Sequence, residues 1–264
     1  MITRSWDQII FSPMAIAISG ARGSGKSGLA YWLAETMGNK RGCKVAVLGL
    51  SPEKQHLLPE GWEIIDDITH APPNCVVLVD EVALQFHARR SQSAENLAMD
   101  RVLSISRQAA QDVIFATHSF RKMDVAIVSD LDVIACKKPS FLHKRFERLE
   151  IRQFTKQASE YFEGLEGDHR QWTYIFTDDY EGPVTNPLPE FWTDELSCGW
   201  ATTNPYQRVF ITAGILLSIE ELTFFETHPH FAVHREYIDR GEKFTKYQAQ
   251  KVKEDLDHKR GVTP

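Results

Sequence analysis

The sequence predicts an α/β fold built on a mainly parallel sheet, with a smaller mixed region after it. Three observations point there. Short, near-continuous apolar runs alternate with helix-like segments through the first half of the chain. A glycine-rich turn follows the first run, and two adjacent carboxylates end the third. Strands without polar alternation are strands covered on both faces, the condition of a parallel sheet flanked by helices.

Met14–Ser19 is the first strand of this reading. Ser27–Met37 follows as a helix, with Leu29, Leu33 and Met37 at helical spacing. Lys44–Leu50 and Cys75–Val79 read as the second and third strands, and Ala94–Gln111 as a helix. Val113–Thr117 and Leu131–Cys136 are the fourth and fifth strands. Right-handed crossovers leave few topologies for such a series.

Beyond Pro139 the pattern changes. Phe141–Phe162 is rich in charge and reads as a helix, and Trp172–Thr177 as a strand. Pro183, Pro187 and Pro189 exclude a long regular element between Tyr180 and Pro189. Tyr206–Phe225 and Lys243–Lys259 have helical composition. A boundary falls near Pro139 or within Gly182–Pro189. We divide the chain at the former, into a core of residues 1–139 and an extension of residues 140–264.

The 264 residues suffice for one α/β domain with an appendage, or for two small domains. A net charge of −6 does not advertise nucleic-acid binding, though it leaves room for a local basic patch. The four cysteines are far apart and form no CxxC pair, so neither a zinc ribbon nor a disulfide framework is suggested. Met1–Pro13 has no basic segment followed by an apolar one, and no apolar run reaches membrane-spanning length. The expectation is a cytoplasmic protein without a membrane span.

Gly20-Ala21-Arg22-Gly23-Ser24-Gly25-Lys26-Ser27 matches GxxxxGK[ST] in full, between an apolar strand and a helix that continues with Gly28. The glycines let the main chain curl so that its N–H groups converge on phosphate oxygens. The helix that follows turns its partial positive charge on the same anion. Lys26 is then the contact to the β- and γ-phosphates, and Ser27 supplies a hydroxyl to Mg²⁺. ATP and Mg²⁺ are the implied ligands.

Asp80 and Glu81 end the third strand. An acid at that place holds the metal, which we assign to Asp80. Glu81 points elsewhere and is the candidate general base for an attacking water. The fourth strand ends in Thr117, His118 and Ser119, of which His118 is the candidate γ-phosphate sensor. No [NT]KxD follows the fifth strand and no DxxG follows Asp80-Glu81, which argues against a GTPase. Arg107, just before the fourth strand, is the candidate arginine finger acting on a neighbouring subunit, with Arg89, Arg90, Arg101 and Arg121 as competitors.

The stretches GARGSGKS at Gly20–Ser27, CVVLVDE at Cys75–Glu81, SRQAAQDVIFATHSFRKMD at Ser106–Asp124 and LDVIACKKPS at Leu131–Ser140 resemble the FtsK–HerA superfamily of P-loop ATPases. The likeness is greatest to its virus-packaging and Zot-like branch, and Leu188-Pro189-Glu190-Phe191-Trp192 adds weakly to it. It covers Met14–Ser140. The resemblance implies a RecA-like sheet with an additional strand between the phosphate-loop strand and the Asp-Glu strand. It also implies a homo-oligomeric ring, a hexamer or pentamer, that hydrolyses ATP and moves double-stranded DNA, with a capsid or portal vertex as a further partner. Histidine at the sensor place departs from the Gln or Asn common in relatives.

Independent signs of DNA contact lie at Lys137-Lys138 and at Arg145, Arg148, Arg152 and Lys156. The last four would line one face of a helix beside Leu142, Phe146 and Leu149, with Glu147 and Glu150 diluting the charge. The alternative is a solvated helix face. His228, His230 and His234 fit no standard metal site, and Asp178-Asp179 reads as a polar turn. Two other functions stay open: an ATP-dependent factor that moves protein, and an ATP switch without a motor.

Overall fold

The computed structural model describes residues 4–80, 106–123, 125–197, 204–242 and 244–261. Its centre is an eight-stranded sheet in the order β3-β2-β4-β5-β1-β6-β7-β8. The strands are β1 (Ala15–Ser19), β2 (Val45–Leu48), β3 (Trp62–Ile65), β4 (Val76–Val79), β5 (Asp112–Thr117), β6 (Val133–Cys136), β7 (Trp172–Phe176) and β8 (Glu181–Thr185). The first six run parallel, and β7 and β8 close one edge antiparallel.

The apolar runs work as the two-period of a strand requires. Ile16, Ile18, Val45, Val47, Val76, Leu78 and Ile114 face one core. Ala15, Ala17, Ala46, Leu48, Val77, Val79, Val113 and Phe115 face the other. Neither face meets water, so neither set is polar. Helix α1 (Lys26–Arg41) covers the first face with Leu29, Leu33 and Met37, all buried. It runs one turn beyond the expected Met37, with Lys40 and Arg41 in the last turn, where cations suit the negative end of the helix. Phe120, Met123, Ile127 and Ile151 cover the second face.

The other α-helices among the described residues are α2 (Val125–Ser129), α3 (Phe141–Phe146), α4 (Leu149–Glu163), α5 (Asp194–Ser197), α6 (Pro205–Thr212), α7 (Ile219–Thr227), α8 (Ala232–Asp239) and α9 (Lys246–Lys259). Most of α6–α9 packs on a core of its own around Phe210, Leu217, Phe225, Phe231 and Leu256.

Several elements differ from the sequence expectation. The sheet continues past residue 139, because β7 pairs with β6 and β8 pairs with β7. Pro183 lies inside β8 opposite Tyr174, on the outermost strand, where a missing N–H costs no ladder bond. The expected Phe141–Phe162 helix is two helices. Arg148 leaves helical geometry (φ −56°, ψ 148°), and the preceding Glu147 is buried against a distant turn. The expected Tyr206–Phe225 helix is likewise two. Gly214 (φ 81°) ends the first, and Ser218 opens the second in a capping box with Glu221. β3 was not expected at all; it is an edge strand with only Ile65 buried.

The lower end of the sheet is tied by one buried carboxylate. Asp112, fully buried, accepts from Ser12 Oγ (3.0 Å) and Met14 N (2.9 Å), and pairs with Arg41 of α1. Removing one partner of such a pair leaves an uncompensated charge. Arg41→Met should lower stability by about 3 kcal/mol, read as an earlier midpoint in urea unfolding.

Candidate functional site

The site lies where the parallel strands end. β1 runs into the Gly20–Gly25 turn, and α1 leaves it with no side chain capping its N-terminus. An uncapped, partly buried N-terminus has orphan N–H groups and favours an anion. Inside the turn, Ala21 N donates to Lys138 O (3.0 Å) and Ser24 N to Ala21 O (3.2 Å), which holds the curl in shape. The Ser24 hydroxyl is buried.

Lys26 is buried and donates from Nζ to Ala21 O (3.0 Å), with His118 Nδ1 at 3.1 Å. Ser27 Oγ donates to Asp80 Oδ1 at 3.2 Å. Asp80 follows β4 and is set by its own N–H donating to Leu48 O (2.8 Å). The neighbouring chain makes room for it. Gly49 (φ 105°) has no side chain, and a Cβ there would stand 2.0 Å from Asp80 O. Ser27 and Asp80 form a hydroxyl–carboxylate pair of hard oxygens, the donor set magnesium takes. These two residues would hold the ion.

The strand order explains why the groups meet. β5 lies between β1 and β4, so His118 at its tip comes between the phosphate loop and Asp80. A cleft of about 1020 Å³ opens over them. Arg22, Gly23, Gly25, Lys26, Ser27, Gly28, Asp80 and His118 line it, and a second wall comes from residues 168–172 and 185–197.

Arg107 is elsewhere. It is exposed, lies 3.8 Å from Asp132, and shares a small cavity with Met14 and Gln111 at the start of the strands. That end is the opposite one from the phosphate loop of its own chain. Arg121 is exposed near the cleft side, on the turn after His118. Glu81, Arg89, Arg90 and Arg101 lie outside the described residues.

The basic stripe does not form as a single face. Arg145, Arg152 and Lys156 are exposed, but Arg148 turns inward and donates from Nη2 to Arg121 O (3.3 Å) and Met123 O (2.5 Å). Glu147 is buried and accepts from Ser119 Oγ (3.1 Å), Phe120 N (3.3 Å) and Arg121 N (3.0 Å). It fastens the α3–α4 elbow to the turn after His118 instead of diluting surface charge. Lys137 also leaves the basic run. It is fully buried and donates from Nζ to Arg170 O (2.7 Å), Trp172 O (2.6 Å) and Asn186 Oδ1 (3.0 Å). Its main chain donates to Ser19 O (2.7 Å). Lys137 thus joins the phosphate loop to the second wall. Its apolar neighbours in the sequence, Val133–Cys136, were the only sign of that burial.

His228, His230 and His234 serve the small C-terminal core. His228 stacks on Phe224 with ring centroids 4.6 Å apart, and His230 lies 3.5 Å from Asp255. Asp179 belongs to a turn held by Thr177 Oγ1 (3.0 Å) and Arg4 (2.9 Å).

No protein-family model matches the chain, and no curated protein is similar to it in sequence. Solved structures are similar to it in fold. The genome packaging NTPase B204 from Sulfolobus turreted icosahedral virus 2, in complex with AMPPCP, is 13% identical with a TM-score of 0.50, over 67% of this chain and 98% of that one. The cytoplasmic domain of the Thermomonospora curvata type VII secretion ATPase EccC is 12% identical with a TM-score of 0.50, over 70% of this chain and 26% of that one. The chain shares the α/β fold of these two nucleotide-hydrolysing proteins. No helix among the described residues is long and apolar enough to cross a membrane.

Burial pulls the Lys137 ammonium from 10.5 down to about 7. Between those values the unfolded chain binds a proton that the folded chain does not, so stability rises with pH from about 7 toward 10.5. Lys137→Met should flatten that rise in urea titrations at pH 7 and pH 9. It should also cost about 2 kcal/mol at pH 7, because four acceptors, Thr173 Oγ1 (3.3 Å) among them, lose their donor.

Proposed function

We propose that the chain is an ATP-hydrolysing, ring-forming motor that translocates double-stranded DNA, packaging a viral or mobile-element genome. One observation carries the reading: the order β4-β5-β1 brings Lys26, Ser27, Asp80 and His118 together in one cleft. The phosphate loop and Lys26 bind the triphosphate, and Ser27 and Asp80 hold magnesium. The ion, when bound, neutralises charge that builds between the β- and γ-phosphates. Glu81, next to Asp80 in the chain, orients and deprotonates the attacking water. His118 touches Lys26 and reports the state of the γ-phosphate.

Arg107 is assigned the trans role. Its place at the far end of the strands, away from its own cleft, supports presentation to a neighbouring copy. The assembly would be a hexameric or pentameric ring working in the cytoplasm, docked at a capsid or portal vertex. The DNA reading draws on exposed Arg145, Arg152 and Lys156 and on a neighbour named as a genome packaging NTPase. The core of residues 1–139 would carry the phosphate and metal contacts, and the extension of residues 140–264 would add the second wall of the cleft.

The test is steady-state ATPase rate with and without double-stranded DNA. DNA should raise the rate, the gain should fall with added salt, and Lys26→Ala should lower turnover by about two to three orders of magnitude. Turnover that ignores DNA but responds to a protein partner would point to a protein-moving factor. Binding without turnover would point to a switch.

A further inference from the structure

The cleft has a direction. Asp80 and His118 rise from β4 and β5, on one side of β1, while β6, β7 and β8 lie on the other. A nucleotide whose γ-phosphate meets Asp80 and His118 must send its nucleoside toward the β6–β8 side. The cleft continues there along Arg170, Asn186, Pro187, Leu188 and Trp192. It is far larger than a triphosphate alone needs.

Leu188 is the unusual member of that wall. It is 58% exposed, yet it leans on the first turn of α1. A Cβ on Gly28 would stand 2.6 Å from Leu188 Cδ2 and 4.0 Å from Trp192 Cζ2. Gly28 comes directly after Ser27, so the apolar wall begins where the phosphate loop ends. The wall is seated firmly from behind. Trp192 packs edge-on to buried Tyr31 (5.5 Å between centroids), and Phe191 packs on Trp62 (5.2 Å). An apolar side chain held in water by a rigid support, beside a phosphate site, is made to be covered by something flat.

We infer that Leu188 and Trp192 form the base-binding wall of the nucleotide site, and that position 28 is glycine so that Leu188 can reach the helix. The inference rests on the proposed nucleotide binding at Gly20–Ser27. The aliphatic side chains of Pro187 and Leu188 have no polar atoms, so they grip the base by shape and apolar contact.

Isothermal titration of the whole chain tests this with three probes: a non-hydrolysable ATP analogue, its GTP counterpart, and inorganic tripolyphosphate, which has no base. Because Leu188 is largely exposed, Leu188→Ala should fold normally. It should weaken both nucleotide analogues about tenfold and leave tripolyphosphate unchanged. Gly28→Ala pushes Leu188 into the cleft and should weaken the nucleotides too, but should add nothing in the Leu188→Ala background. Lys26→Ala should weaken all three probes. The inference is overturned if Leu188→Ala leaves nucleotide affinity intact or if it weakens tripolyphosphate equally. If the unmutated chain binds neither nucleotide nor tripolyphosphate, the nucleotide reading itself falls with it.

Discussion

Strand β5 separates β1 from β4 by two strand spacings, roughly 10 Å, and the chemistry of the cleft depends on that gap. Ser27 comes one turn after β1 and Asp80 directly after β4. Across this gap their side chains meet at 3.2 Å. A further strand between them would put the two oxygens out of reach. β5 also delivers His118 to Lys26 from its own tip. The parallel ladder that sets the gap is continuous from β3 to β6, buried on both faces through most of its width, and tied below by Asp112.

The central strands were legible in the sequence because both their faces are covered. Burial on both sides leaves a plain apolar run; β1, β2, β4 and β6 lie within the runs that predicted them, and β5 starts one residue before its run, at Asp112. β3 was not legible, since an edge strand half in water writes Trp62-Glu63-Ile64-Ile65 with no clear period. β8 hid behind Pro183, a residue that excludes a central strand and allows an outer one. The break at Glu147 depends on partners more than twenty residues away, Ser119 to Arg121, which no local pattern records.

The cleft divides the same way. Its phosphate side comes from one short motif and two strand tips, so Gly20–Ser27, Asp80 and His118 could be read before any fold was known. Its other wall is assembled from separate parts of the chain. Lys137 looked like the start of a basic run, yet the structure buries it under Arg170, Trp172 and Asn186. The one early sign of this wall was the Leu188–Trp192 stretch. Its pairing with Gly28 is a contact across the fold, invisible in sequence. Lys137 and Glu147 act as counterparts here: one buried lysine fastens the second wall to the phosphate loop, and one buried carboxylate fastens the α3–α4 elbow to the turn after His118.

The central claim is that Ser27 and Asp80 are set together to share a metal beside bound triphosphate. Calorimetric affinity for a non-hydrolysable ATP analogue, with and without magnesium, tests it in the unmutated chain and in Asp80→Asn. Magnesium should tighten binding in the unmutated chain, and Asp80→Asn should keep the metal-free affinity while losing the gain. An equal magnesium gain in both proteins would contradict the account.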